Sequence, residues 1–311
     1  MPSNAINPSI DQGAKLNFMD SYYELSQQTT SRLTGTGAIK WAPSAGKTTN
    51  MARIGKIELN EVNTRNPDKQ YGDYSLDNRQ FQKRRFTKTI TIDAKTDINE
   101  LLKDPTSDIL RQLVNAKERQ TDRIAIQAAV GPVLVGAPDA AATSITAAQD
   151  GVITVDGTAG FVYSTVQKIT QSFINNDVGY SVFSGSTLCI TGKENTSLMG
   201  EDKFINNFYI TGSPVDKGIM EKAGAYRVEL FAGSENGGIQ VPNPILPEIT
   251  NGTQRQCVVL APQSILMASE IGDLGVEKNY NKVNSFDITI DLWINAMRIE
   301  GVLVIIITTT M

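Results

Sequence analysis

Asp104-Pro-Thr-Ser-Asp-Ile-Leu-Arg-Gln-Leu-Val-Asn-Ala-Lys-Glu-Arg-Gln-Thr-Asp-Arg-Ile-Ala-Ile-Gln-Ala-Ala-Val-Gly131 reads as one long helix with both ends written into it. Asp104 is an N-cap residue type, and Pro105 at the first helical position needs no backbone donor. Asp108 places negative charge near the first turn, where the helix dipole favours it. Gly131 followed by Pro132 is a stop signal. Between these ends Ile109 or Leu110, Leu113, Val114, Thr121, Ile124, Ala125 and Ala128 recur at helical spacing. Arg111, Lys117, Arg119 and Arg123 lie mostly off that stripe. About 26 residues at ~1.5 Å rise make a rod of roughly 40 Å, over twice the usual helix length. Such a beam, entered from a long polar β-like segment, suits a structural part better than a catalytic pocket.

The rest of the chain frames that beam. Its 311 residues suffice for one large domain or two smaller ones with a substantial core. A composition of 40% hydrophobic and 20% charged residues excludes global disorder. The net charge of −4 argues against a dedicated nucleic-acid binder. That charge is uneven: residues 1–100 hold 14 Lys/Arg against 11 Asp/Glu, and the remainder 15 against 22. A basic first third and an acidic remainder suit subunits whose arms lie across neighbours, with compositional scatter as the plainer account. Cys189 and Cys257 read as buried strand residues without metal or redox spacing; a disulfide between them stays open, and a reducing compartment fits better. No signal peptide is visible at the N-terminus, and the apolar run Val302–Ile307 is too short to span a bilayer. These features read as a soluble protein made inside a cell.

Residues 1–50 are polar and read as an extended arm with little core, carrying one short helical candidate at Leu16–Leu33. Ile54–Leu59 and Phe86–Asp93 alternate in period two around the turn-rich 63–73, which predicts a protruding hairpin over 53–95. A lone two-stranded ribbon is marginally stable, so a neighbouring subunit is its natural cover. Beyond the beam, the pattern predicts a β-like Gly151–Val155 and an amphipathic helix over Phe161–Asn175, with Val162, Val166, Ile169 and Phe173 on one face. A strand at Ser186–Thr191 then leads to a short helix or turn through Leu198. Residues 211–250 are loop-rich, and Asn251-Gly252 is a hairpin-type turn into a strand at Cys257–Leu260. A short helix at Pro262–Ala268 and terminal strands at Phe286–Trp293 and Gly301–Thr309 complete an α+β reading.

Candidate chemistry is sparse. The chain has no histidine, which removes Ser-His and Cys-His nucleophiles and His-ligated metal sites. No catalytic, cofactor-binding or metal-ligating residue is assigned. Ala45-Gly46-Lys47-Thr48 resembles the end of a P-loop, but Trp41 stands where that pattern requires glycine, and Pro43 stiffens the loop. Glu118 and Asp122 are four apart on one helix face; among Arg111, Lys117, Arg119 and Arg123 they read as a solvated or interfacial salt-bridge pair. Lys83-Arg84-Arg85, flanked by Phe81 and Phe86, reads as a solvated or subunit-contacting face, with phosphate contact as the alternative.

The order of parts now becomes informative. A polar arm, a charged hairpin, Lys103-Asp104-Pro105-Thr106-Ser107 opening a long helix, and Thr121-Asp122-Arg123-Ile124-Ala125-Ile126-Gln127-Ala128-Ala129 closing it resemble the major capsid proteins of tailed bacteriophages with the Hong Kong 97-type fold. Further along, Thr187–Ile190 with Glu194–Phe204, Ile219–Phe231 with Gly224, and Asp291–Gly301 resemble that family's axial and returning peripheral segments. The likeness covers most of 55–310 and rests on order and spacing; no cross-linking Lys/Asn pair is identified. It implies an N-terminal arm (1–52), an E-loop hairpin (53–96), a spine helix with the first part of the peripheral domain (97–160), a second helix and axial domain (161–250), and a return into the peripheral domain (251–311). It further implies self-assembly as hexamers and pentamers of an icosahedral head around double-stranded DNA. Portal, scaffold or decoration proteins are implied as partners, with non-specific DNA contact, no membrane, and assembly in the host cytoplasm into the virion. Arg65, Lys69, Tyr71, Lys83, Arg84, Arg85, Arg111, Glu118, Asp122 and Arg123 are the expected intersubunit contacts. An encapsulin-like compartment shell and, in another class, a nucleotide enzyme using Lys47 and Thr48 are the alternatives.

Overall fold

A computed structural model describes residues 28–43, 46–59, 61, 63, 72, 74–93, 106–136, 142–158, 160–201, 220–232, 235–236, 239–240, 245–249, 254–279 and 285–310. In chain order the strands are β1 (Ile39–Trp41), β2 (Thr48–Ile54), β3 (Leu76–Gln82), β4 (Arg84–Asp93), β5 (Val133–Val135), β6 (Thr143–Ile145), β7 (Ile153–Gly157) and β8 (Thr187–Ile190). They continue with β9 (Lys222–Ala223), β10 (Tyr226–Leu230), β11 (Glu235–Asn236), β12 (Ile239–Gln240), β13 (Glu248–Ile249), β14 (Gln254–Leu260), β15 (Ile265–Asn279), β16 (Ser285–Arg298) and β17 (Val304–Thr310). The helices are α1 (Thr106–Val130), α2 (Tyr163–Asn175), α3 (Tyr180–Phe183) and α4 (Gly192–Met199).

α1 is the long helix, 25 residues within the predicted bounds, and it stops where Gly131 follows Val130. Its expected cap, Asp104 with Pro105, lies outside the described residues. The helix lies across a four-stranded sheet of order β1-β15-β16-β4. Leu113 packs there with Ile92, Ile288 and Ile290, and Ile124, Ala125, Ile126 and Ala129 continue into the main core. β15 and β16 form a long antiparallel ribbon, paired from Ile265 opposite Arg298 to Asn279 opposite Ser285, with a bulge between Ile271 and Asp273. β4 runs along β16 from Arg84 opposite Ile294 to Asp93 opposite Ser285.

The main core lies on a second, mixed sheet of order β7-β17-β14-β8-β10-β9. The all-apolar words Leu188-Cys189-Ile190, Cys257-Val-Val-Leu260 and Val304-Ile-Ile-Ile307 occupy its centre and are buried on both faces. α2 covers it with Val166, Ile169 and Phe173, and Phe173 stacks on Phe183 at 5.8 Å. Gly224, at φ +65°, makes the tight reversal from β9 to β10 that a side chain would strain. A third sheet, β2-β3-β5-β6, joins a hairpin to the C-terminal end of α1.

Four sequence expectations change. Phe86–Asp93 pairs with β16, and the hairpin is instead Thr48–Ile54 with Leu76–Gln82, paired from Thr48 opposite Gln82 to Ile54 opposite Leu76. Both candidate runs alternate in period two, and alternation fixes a strand's faces but not its partner. Pro262–Ala268 is no helix: its second half, Ile265–Ala268, opens β15 fully covered, and a short apolar run does not distinguish strand from helix. Residues 28–43 are no coreless arm, since Leu33, Ala38 and Ile39 enter the main core and β1 pairs in parallel with β15. Of the helical candidate Leu16–Leu33, most lies outside the described residues, and 28–33 is not helical. Cys189 and Cys257 are free, and burial pushes both thiols above their usual range.

Candidate functional site

Three polar clusters hold the parts in place. In the first, Asp122 takes hold of the N-terminal segment. Its carboxylate has no exposed surface and accepts from Ser31 Oγ at 2.6 Å, Arg32 N–H at 3.0 Å, Leu33 N–H at 3.2 Å and the Gln28 amide. Glu118, one turn earlier, accepts from Ser31 N–H at 3.3 Å, and Arg119 donates to the Gln28 carbonyl at 3.3 Å. The expected solvated or interfacial pair is therefore an internal clasp, made by a side chain too deep for a neighbour to reach. A signal existed: Asp122, Ala125, Ile126 and Ala129 fall at helical spacing on one buried face.

The second cluster ties the hairpin to α1. Arg79 of β3 and Arg298 of β16 are fully buried and share Asp150. Arg79 Nη1 donates to Asp150 at 3.0 Å and to the Arg298 carbonyl at 3.2 Å, while Arg298 Nε donates to Asp150 at 3.1 Å. Arg298 Nη1 also donates to the carbonyls of Ala128 at 3.1 Å and Ala129 at 2.7 Å, capping the negative end of α1. Burial lowers the Arg298 pKa, and Asp150 opposes that shift. The third cluster fixes α4, where Thr191 and Glu194 form a reciprocal capping box. Arg255 donates to Thr191 Oγ1 at 2.6 Å, and Thr309 Oγ1 donates to Glu194 at 3.0 Å. The Thr-x-x-Glu spacing carries that signal.

The remaining expected contact residues separate into groups. Lys83 is buried and paired with Glu270 at 2.6 Å, so it serves the protomer. Arg84 is exposed; Arg85 is exposed too, bonded to Asp291 at 2.9 Å and lying 5.7 Å from the Trp293 ring. Arg111 is exposed, with Asp108 3.9 Å away, and Arg123 is half-buried and donates to Gln120. Arg65, Lys69 and Tyr71 lie outside the described residues. Lys47 and Thr48 do not open a helix, because Thr48 begins β2; the helix N-terminus on which a P-loop rests is not at that position. Among the described residues no three His, Cys, Asp or Glu converge as metal ligands, and no helix is long and apolar enough to cross a membrane.

Some large apolar side chains are left uncovered by the protomer. Ile54 and Leu76 sit opposite each other at the outer end of the hairpin, both more than half exposed, and Ile57, Leu59 and Tyr74 beyond them are also exposed. On the ribbon, Ile271, Leu274, Val276 and Phe286 are exposed. Such patches mark contact surfaces.

The sequence matches the model of the phage capsid protein family over residues 10–310. The chain belongs to that family. It is a structural major capsid protein, a shell-forming component of a phage head whose place is the virion. Solved capsids share the fold of this capsid protein at low identity. The bacteriophage PhiM1 mature capsid aligns at TM-score 0.65 and 11% identity, covering 94% of this chain and 91% of that one. The head of Helicobacter pylori bacteriophage KHP40 aligns at 0.64 and 10%, covering 100% and 98%. The capsid of Ralstonia phage GP4 aligns at 0.63 and 10%, covering 95% of each chain. Curated proteins yield no match. Capsid proteins of this family assemble into a shell of capsomers.

Proposed function

We propose that this subunit has the Hong Kong 97-type form of the capsid fold, with β2–β3 as the E-loop and α1 as the spine helix. In this reading the mixed sheet is the axial domain and the β15–β16 ribbon the peripheral domain. This reading shifts the divisions at 53–96, 97–160, 161–250 and 251–311: residues 28–43 and β4 go to the body, and β7, β14 and β17 go to the axial sheet. Hexamers and pentamers of the subunit would close an icosahedral shell around double-stranded DNA, assembled in the host cytoplasm with portal, scaffold or decoration proteins. Arg65, Lys69, Tyr71, Arg84, Arg85, Arg111 and Arg123 are its intersubunit contacts.

The observation carrying this reading is the exposed apolar end of the hairpin, with Ile57 at 73% and Leu59 at 98% exposure. Each such side chain contributes about 1.5–3 kcal/mol when covered, and head-to-tail covering repeated around a ring closes an assembly. The test is electron microscopy of wild-type protein and of the I54S/L76S variant. Closed shells from the first, and folded but unassembled subunits from the second, are the expected results. Normal shells from the variant refute the hairpin's role, and cargo protein in place of DNA inside purified particles would favour an encapsulin-like compartment.

A further inference from the structure

The sheet of order β1-β15-β16-β4 is open along both of its sides. β1 covers β15 only at Ile265–Met267, and among the described residues no strand joins β15 beyond that point. β4, ten residues long, is the opposite edge. Such edges present rows of unpaired N–H and C=O groups. The two edges also match in sequence. On β16, β4 reads the word Asp287-Ile-Thr-Ile-Asp291: Thr91 Oγ1 donates to Asp287 at 2.7 Å, Arg85 Nε donates to Asp291 at 2.9 Å, and Ile90 stands opposite Ile288. Past its bulge, β15 repeats the pattern as Asp273-Leu-Gly-Val-Glu277 along its open edge. There Leu274 and Val276 are exposed, although they continue the rows of buried Ile290 and Ile288. Asp273 and Glu277 stand opposite Asp291 and Asp287, two like-charge pairs that weaken the ribbon. The ion pairs of the ribbon's carboxylates among the described residues are Lys83 with Glu270 and Arg85 with Asp291, which leaves Asp273 and Glu277 without a cation.

We propose that β4 of one copy adds to the open edge of β15 on a second copy, so that this sheet continues from subunit to subunit. The inference rests on the capsid reading and adds to it a defined contact between copies. Charge selects the pairing: β4 carries Arg84, Arg85 and Lys88 against Asp93, and β15 from Ser269 onward carries Glu270, Asp273 and Glu277 against Lys278. Two β4 edges together, or two β15 edges together, would set like charges side by side. Direction agrees with this choice. Both β4 and β15 run antiparallel to β16, so they run parallel to each other. Copies placed side by side without being turned over therefore join β4 parallel to β15, with the apolar faces on the same side. A shell needs that arrangement, because all its subunits show one face outward, and the head-to-tail contact closes rings. The row Gly275–Thr289–Thr89 gives the register, placing Thr89 of one copy beside Gly275 of the next.

The test coexpresses full-length T89C and G275C chains, treats the particles with a short bismaleimide and separates the products on a denaturing gel. Thr89 is exposed, and a Cβ at Gly275 meets nothing closer than Asp273 Oδ1 at 3.9 Å. The native thiols are buried. A two-chain species should form in the mixture and in neither variant alone, and D273K/E277K should give folded subunits without shells. Linked pairs from G275C alone or T89C alone overturn the proposal, as do normal shells from D273K/E277K. Closed shells that yield no linked pair in the mixture remove this inference and leave the capsid reading intact. Linked pairs in a protein that never closes a shell keep the inference and remove the capsid reading. If either cysteine chain is unfolded by its melting curve, T87C with D273C decides, both positions being exposed and sharing a row with Asp291.

Discussion

Replacing Asp122 by alanine should free the segment that its carboxylate holds. The substitution removes the acceptor for two backbone N–H groups, those of Arg32 and Leu33, and for the Ser31 hydroxyl. A buried donor left without a partner costs about 1–3 kcal/mol. Leu33 N–H is fully enclosed and Arg32 N–H is partly so, which gives about 3 kcal/mol for the pair. At 1.4 kcal/mol per tenfold, the open population of residues 28–33 rises roughly a hundredfold. Arg32 supplies the assay, because trypsin cleaves the Arg32–Leu33 bond when the segment opens. Cleavage through a fast local opening follows the open population, so its rate in D122A should rise by about two orders of magnitude. D122N keeps one oxygen acceptor and should fall between, at about tenfold. Equal cleavage of wild type and D122A would refute the clasp.

Three further outcomes are expected. R298M removes the donor to the carbonyls of Ala128 and Ala129 and one partner of Asp150, and should destabilise the subunit by about 3–5 kcal/mol in urea unfolding. I54S/L76S, altering exposed side chains, should leave subunit stability within about 0.5 kcal/mol while abolishing shells. Because burial raises both thiol pKa values above that of an unfolded cysteine, the unfolded chain loses protons first as pH rises. Stability should therefore be unaffected by the thiols below about pH 8.5 and fall above it, by up to about 1.4 kcal/mol per pH unit for each thiol. C257A should remove half of that slope, and dithionitrobenzoate should label neither cysteine before unfolding.

The elements legible in the sequence are those set by local chemistry. α1, α2 and the strands around Cys189, Cys257 and Ile305 fall where apolar period and stop signals place them. What stayed hidden depends on partners distant in sequence. Leu76–Gln82 becomes a strand by pairing with Thr48–Ile54, and a run containing Asp77, Asn78, Arg79 and Gln80 has little strand propensity to announce it. Arg79 and Arg298 are charged residues that read as surface until the fold places Asp150 between them, about 70 and 150 residues away in sequence. Asp122 was obscured by its basic neighbours, although its buried spacing with Ala125 and Ala129 was there to be read. The exposed apolar hairpin end combines residues from both sides of the 21 residues between Ile54 and Leu76, so its contiguity emerges only with the pairing of those two.

The placement of β17 bears on synthesis. Residues 304–310 form an interior strand, held between β7 on one side and β14 on the other. Until that segment has left the ribosome, the mixed sheet has a gap one strand in from its edge: Ile153–Gly157 has no strand to pair with, and Gln254–Leu260 is left with one bare edge. A polypeptide interrupted before residue 304 therefore cannot close its core, and its apolar strands stay open to chaperones and proteases. Only a chain that carries residues 304–310 can present a closed mixed sheet to its neighbours.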